Sequence, residues 1–226
     1  AMSAARAVAL AGNPNVGKSS IFNALTGLRQ HTGNWPGKTV ETAQGRYDYG
    51  GAAYALTDLP GTYSLAPGSE EERVAAEFLQ THPEACVVAV CDATCLGRSL
   101  TLAVQLMQRH ARVIVCVNLM DEARTRGLTV DLRLMQTLLG VPVVGTCASC
   151  RDDLRRLQEM IRAVMDGFWP LHPHVPETHA AAACARYART IAERCVSGGQ
   201  EDRRTARLDR VLTGKCAGRL VFAGLV

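Results

Sequence analysis

The sequence has no apolar run long enough to cross a bilayer. Leu220–Val226 is seven residues long, against roughly 20 for a spanning helix. Aromatic residues make up only 5% of the chain, and neither an aromatic stacking surface nor a KH-like G-x-x-G unit is present, which argues against an RNA-reading module. The excess of cations is small, 25 Lys and Arg against 21 Asp and Glu for a net charge of +4, and too mild for a nucleic-acid binder across the whole surface. A charged, then apolar, then small-residue leader is also missing. The nine cysteines are therefore expected to be free thiols in a reducing cytosol rather than a disulfide framework. Ala1-Met2 reads as a remnant ahead of a native start. The cations Arg203, Arg204, Arg207, Arg210, Lys215 and Arg219 precede the terminal apolar run. Two readings stay open for this tail: the first residues of a transmembrane helix, or a buried helix end with a solvated basic face.

With 47% hydrophobic residues in 226, the chain can bury a full core, and composition argues against disorder. Short apolar runs at Ala7–Leu10, Tyr54–Thr57, Ala85–Cys91, Val113–Val117 and Val141–Val144 read as strands. Between them Ser19–Leu25, Glu70–Gln80, Ser99–Arg109, Leu132–Leu139 and Asp153–Met165 read as helices. Strands this apolar are covered on both faces, so the alternation predicts an α/β fold with a mostly parallel sheet flanked by helices. Gly45–Tyr49 adds an edge strand across the Gly50-Gly51 turn, for six strands in all. The pattern breaks at Trp169–Pro176, which contains Pro and His, and this predicts a domain of residues 1–168 followed by a short helical appendage over 169–226.

The strongest motif is Gly12-Asn13-Pro14-Asn15-Val16-Gly17-Lys18-Ser19. It fits G-x-x-x-x-G-K-S directly after a strand and before a helix. The chemistry needs these residue types. Glycines let backbone N–H groups wrap phosphates, Lys18 neutralises the β and γ phosphates, and the Ser19 hydroxyl is a magnesium ligand, with Ser20 following in the helix. Asp58-Leu59-Pro60-Gly61 closes the third strand, where a carboxylate reaches the magnesium through water and the Gly61 N–H senses the γ phosphate. Thr39 is a candidate for the threonine that meets magnesium when GTP is bound, but Thr32 and Thr42 lie nearby and spacing alone does not choose.

Asn118-Leu119-Met120-Asp121 reads as N-x-x-D. Asp121 accepts two hydrogen bonds from guanine that adenine cannot supply, and leaving it unpaired costs several kcal/mol of discrimination. Leu119 replaces the usual Lys and can lay an apolar stem along the base. Thr146-Cys147-Ala148 fits the loop whose backbone N–H meets the guanine carbonyl oxygen. Cys147 and Cys150 have C-x-x-C spacing, which suggests a redox pair or half a zinc site. No second pair is near and the same residues serve the guanine loop, so loop packing is the expectation. His172 and His174 are expected to be solvated.

On these residues the chain resembles the ferrous iron transport protein B family, whose cytosolic part is a GTPase followed by a helical domain and a membrane permease. The resemblance is carried by Gly12–Ser19 running into Phe22–Gly27, by Gly33-Asn-Trp-Pro-Gly-Lys-Thr-Val-Glu41, by Asp58–Leu65, by Asp92-Ala-Thr94 and Asn118–Asp121, and by Leu208–Thr213. It implies a P-loop GTPase of the Ras-like G-domain type that switches between GTP and GDP states to gate iron transport at the cytoplasmic face of a bacterial inner membrane. Thr39 then takes the magnesium-sensing role, Asp58–Gly61 opens the second switch, and Asn15 coordinates a potassium ion with carbonyls of Gly33–Trp35. Magnesium and potassium are the implied cofactors. GTP, GDP and the permease beyond Val226 are the implied partners, with homo-oligomerisation left open and no nucleic acid expected. Thr62 stands where Ras-like enzymes keep a water-orienting Gln, which predicts slow turnover. Three positions depart from the family pattern: Lys38 replaces a usual Val, Cys147 a usual Ser, and the helical part is short. The rival readings are an Era- or TrmE-type GTPase of ribosome assembly or tRNA modification, and a sensor that binds nucleotide without hydrolysing it.

Overall fold

The structure is a computed structural model that describes residues 5–27, 30–35, 40–66 and 68–198. Ala1-Met2, Lys38 and Thr39, the basic stripe from Arg203 to Arg219, Leu208–Thr213 and Leu220–Val226 lie outside the described residues. The strands are β1 (Arg6–Gly12), β2 (Gln30–Asn34), β3 (Glu41–Tyr49), β4 (Ala52–Asp58), β5 (Cys86–Asp92), β6 (Val113–Asn118), β7 (Leu128–Val130), β8 (Val143–Gly145) and β9 (Val196–Gly198). The helices are α1 (Lys18–Thr26), α2 (Glu70–Thr81), α3 (Leu96–Arg109), α4 (Met120–Thr125), α5 (Leu132–Leu139), α6 (Arg151–Met165) and α7 (Ala181–Cys195).

One seven-stranded sheet runs in the order β2-β3-β4-β1-β5-β6-β8. From β4 to β8 the pairs are parallel, while β2–β3 and β3–β4 are antiparallel. The β3–β4 hairpin turns at Gly50-Gly51, with Tyr49 opposite Ala52. The sheet has one strand more than the six expected, and the addition is β2. Its sequence, Gln-His-Thr-Gly-Asn, carries no apolar alternation because it pairs on one side only, at the sheet edge. A small second sheet pairs β7 with β9.

Alternate residues along each central strand serve opposite faces. Val8, Leu10, Val88 and Ile114 face α1 and α6, while Ala9, Ala11, Val87, Ala89 and Val115 face the other layer, with α2 and α3. Both faces are covered, which is why β5 and β6 read as unbroken apolar runs. Helix α2 begins with a complete capping box: the Ser69 side chain accepts the Glu72 N–H and Glu72 accepts the Ser69 N–H.

Among the described residues, α7 represents the helical appendage. It packs on α3 and α5, and Cys184, Ala188, Ile191, Ala192 and Cys195 join the core on the α3 side of the sheet. Helix α3 is therefore sandwiched between the sheet and α7, and it buries Leu100, Leu102, Ala103, Val104, Leu106 and Met107 around its circumference. The chain from α6 to α7 is tied down as well. Gln108 Nε2 donates to Pro176 O at 2.7 Å and Thr178 O at 3.0 Å, and the His172 and His174 N–H groups donate to Gly140 O and Leu139 O. The side chains of His172 and His174 are exposed. Among the described residues, no helix is long and apolar enough to cross a membrane.

Because Ile191 is 3% exposed within this shared core, Ile191→Ala should cost about 2–5 kcal/mol. Chemical denaturation should show the loss as a shift of one transition monitored on both β-sheet and helix signals. A separate early transition that leaves the sheet signal untouched would contradict this placement of α7.

Candidate functional site

The site is built where β1 stops and α1 starts. Gly17 forms the N-cap of α1 at φ 83°, and Asn15 also has positive φ at 64°, a conformation that Asn tolerates better than most side chains. Gly17 has a second reason to lack a side chain, since a Cβ there would lie 2.3 Å from Asn118 Nδ2. Asn118 is fully buried. Its Nδ2 donates to Val16 O at 3.0 Å, and its Oδ1 accepts from the Thr146 hydroxyl at 3.0 Å. One amide thus joins the phosphate-type loop to the loop after β8. Leu119 follows at φ 61°, which brings its side chain over Gly17. Asp121 is exposed in the first turn of α4.

Lys18 is 7% exposed and its Nζ reaches Asn13 O at 3.5 Å. Burial lowers its pKa, and the nearby Asp58 opposes that shift. Asp58 is pushed the other way. Burial raises its pKa against the pull of Lys18 and of the Ser19 hydroxyl, which donates to Oδ2 at 2.9 Å. In both residues desolvation outweighs their mutual attraction. Asp58 Oδ1 and Asn13 Oδ1 are buried with no hydrogen-bond partner, an arrangement that natural interiors rarely leave unanswered. Oxygen donors from Ser19 and Asp58 beside a buried ammonium fit a hard divalent cation and a polyphosphate.

The loop after β4 lies against this cradle. The Thr62 N–H donates to Gly12 O at 3.2 Å, and a Cβ on Gly61 would come within 3.0 Å of Pro14 Cα. Further along, the Leu65 N–H donates to Gln105 Oε1 at 2.9 Å and Leu65 O accepts from Arg109 at 2.6 Å. Gly33 lies in β2 opposite Thr42, and Trp35 is buried against Phe78 with its backbone N–H donating to Val40 O at 2.9 Å and its indole Nε1 without a partner. The structure brings Asn13, Pro14, Asn15, Val16, Gly17, Lys18, Ser19, Asp58 and Gly61 together at one end of the parallel strands, with Asn118 and Thr146 joined to them. Ser20 is exposed on α1 beside Ser19.

Sequence reasoning did not single out Gln105, Arg109 or Asp153. Gln105 left a trace as a buried amide among the apolar residues of α3. Asp153, whose carboxylate accepts the Cys147 N–H at 3.1 Å, left none beyond its place near a helix start. The eight cysteines among the described residues are free thiols, and no group of three or more His, Cys, Asp or Glu there could hold a metal ion.

A parallel sheet with this strand–loop–helix junction, a carboxylate at the end of β4 and an amide-bridged loop after β6 defines a P-loop NTPase of the G-domain class. A sequence profile described as Ferrous iron transport protein B matches residues 6–161. The chain belongs to that family, and the comparisons favour it over the Era and TrmE readings. It is 38% identical over 162 residues to the Fe(2+) transport protein A/Fe(2+) transporter FeoB fusion protein of Porphyromonas gingivalis, covering 71% of this chain and 19% of that protein. Over 228 residues it is 30% identical to the Fe(2+) transporter FeoB of Campylobacter jejuni, covering 97% of this chain and 37% of the relative. The chain thus spans between 19% and 37% of the length of these relatives. Among solved structures, it is similar to the cytosolic domain of the T. maritima FeoB iron transporter in a GDP form, with TM-score 0.78 and 28% identity over 85% of this chain and 99% of that one. It also resembles the G domain of the same transporter, with TM-score 0.66 and 40% identity over 70% and 98% of the two chains.

Removing the Asn118 amide should take its donor from Val16 O and leave the Thr146 hydroxyl with the Cys116 thiol, 3.2 Å away, in place of an amide acceptor. Asn118→Ala is expected to lower the stability of the nucleotide-free protein by about 2–3 kcal/mol, measured by urea unfolding. A loss under about 0.5 kcal/mol would mean that the bridge contributes little without ligand.

Proposed function

We propose that this chain binds GTP and GDP with magnesium, hydrolyses GTP slowly, and acts as a nucleotide-dependent switch that gates a ferrous-iron permease in the same polypeptide. The observation that carries the reading is the cradle of Lys18, Ser19 and Asp58, with Ser19 at its exposed rim, whose two charged groups are both desolvated and whose Asp58 Oδ1 has no partner. The T. maritima structures named in GDP and GMPPNP forms support it. In this reading the backbone of Asn13–Ser19 wraps the phosphates, and Lys18 takes the β and γ oxygens. Ser19 and Asp58, together with Thr39, would hold the magnesium, which supplies charge neutralisation at the phosphates. Gly61 offers its N–H to the γ phosphate. Leu119 covers the base from one side, Asp121 reads the guanine N1 and N2 groups, and the loop Thr146–Ala148 meets its carbonyl oxygen.

Slow turnover follows from Thr62. The residue is 4% exposed and its N–H is turned back to Gly12 O, so it offers no counterpart to a glutamine that orients attacking water. Asn15, held at positive φ in the phosphate-type loop, and the carbonyls of Gly33 and Trp35 would hold a potassium ion, which adds positive charge where phosphoryl transfer develops negative charge. The domain is read as working at the cytoplasmic face of a bacterial inner membrane, with residues 169–226 as the helical connection to the permease.

Titration calorimetry in magnesium buffer should give GDP an affinity at least 100-fold above that of ADP, the scale of discrimination expected when the Asp121 carboxylate and the loop N–H both lose their guanine partners. No preference would remove the guanine reading, and absence of phosphate release from GTP would favour the sensor. At matched ionic strength, potassium should raise the turnover rate severalfold over sodium, and Asn15→Ala should abolish the difference while leaving GDP binding within about threefold. Equal rates in the two salts would remove the potassium role.

A further inference from the structure

In the loop after β8 the main-chain groups of Thr146 and Cys147 are all pinned. The Thr146 N–H donates to Val117 O at 2.8 Å, Thr146 O accepts from the Met120 N–H at 3.3 Å, and Cys147 O accepts from the Cys150 N–H at 2.8 Å. The Cys147 N–H donates to Asp153 Oδ2 at 3.1 Å. Ala148 differs, because its N–H has no partner among the described residues. Of the backbone donors in Thr146–Ala148, it alone is free to meet a base.

Asp153 occupies the third position of α6, counted from the N-cap Cys150. From that position an acidic side chain ordinarily turns back to the N-cap N–H, as Glu72 does to Ser69 in α2. In α6 the N-cap N–H is already taken by Cys147 O, and Cys150 supplies no side-chain cap. The Asp153 carboxylate instead reaches three residues beyond the N-cap. Its second oxygen meets Arg156 at 3.3 Å, but the Arg156 side chain is 68% exposed against 20% for Asp153. That ion pair is solvated and weak, so the loop contact is the stronger hold on the carboxylate.

We propose that Asp153 is the positioning residue of the guanine loop: by taking the Cys147 N–H it fixes the peptide planes from Thr146 to Ala148 and leaves the Ala148 N–H aimed at the guanine carbonyl oxygen. This deepens the guanine-site reading above and rests on it. Without the carboxylate the Cys147 N–H must turn to find water, and the adjoining Ala148 N–H turns with it. The contacts of Asp153 are with the guanine loop and Arg156, so its loss weakens recognition of the base and spares the phosphate cradle.

The test compares Asp153→Ala and Asp153→Asn in the intact chain, using GDP and ADP as probes. Asp153→Ala should weaken GDP binding about tenfold, the scale of one hydrogen bond to a charged acceptor, and leave ADP binding unchanged. In steady state it should raise KM for GTP by a similar factor with kcat within twofold. Asparagine keeps an acceptor oxygen and should restore GDP affinity to within about threefold. Parallel losses for GDP and ADP, or an Asn variant no better than Ala, would overturn the positioning role. Should Asp153→Ala not fold, amide exchange in the wild-type protein decides, since a Cys147 N–H that exchanges as fast as an open loop amide would equally overturn it. A wild-type protein without preference for GDP over ADP would sink the guanine reading itself. A strong wild-type preference left intact by Asp153→Ala would sink only the proposal for Asp153.

Discussion

The bridge made by Asn118 is the constraint on which the rest of the site depends. Its amide donates to Val16 O and accepts from the Thr146 hydroxyl, so the loop after β1 and the loop after β8 hold a fixed relation although 102 and 28 residues separate their anchors from Asn118. The bridge is dry, with Asn118 and Thr146 both fully buried, and in such surroundings a half-satisfied amide is costly. It also dictates its neighbour. The closeness of Asn118 Nδ2 to the position a Gly17 side chain would occupy means that the glycine serves two ends: a positive φ at the start of α1 and room for the amide.

Around this fixed joint the electrostatics are left unbalanced. Lys18 and Asp58 lie near each other, yet burial lowers the pKa of the first and raises that of the second. Attraction between them therefore does not offset their desolvation. Two buried oxygens beside them have no donor. The loop after β4 lies close against the cradle, with the Thr62 N–H on Gly12 O and no room for a side chain between Gly61 and Pro14. An unbalanced pocket of this kind gains from an anion and a hard cation, since the cost of arranging the charges is met in folding.

The parts legible in the sequence are those whose physics is local. The junction of β1 and α1 is a contiguous motif, and the central strands carry their double burial in their own composition. The β3–β4 hairpin shows its turn as Gly50-Gly51. What was not legible depends on partners distant in sequence. Strand β2 has no apolar pattern and exists through its pairing with β3. Asp153 looks like an ordinary acidic residue in a first helical turn until the N-cap N–H beside it is seen to be already used. The packing of α7 could be read as a helix but not as a layer over α3, because its Ala and Cys residues are too small to announce a core face.

Helix α3 shows what this layering does to the loop that follows β4. Gln105 and Arg109 hold the N–H and the C=O of Leu65, while Gln108, on the same last turns, holds the carbonyls of Pro176 and Thr178 and accepts from the Cys184 thiol. The loop on one flank of α3 and the chain leading into α7 on the other are therefore anchored to the same short stretch of backbone. Leu65 cannot leave its place without releasing a buried glutamine, whose amide then needs a new partner. A shift of α3 that kept those two bonds would carry the Gln108 contacts with it. The two flanks are coupled by geometry, through three side chains on one helix whose own apolar circumference leaves it little freedom to turn.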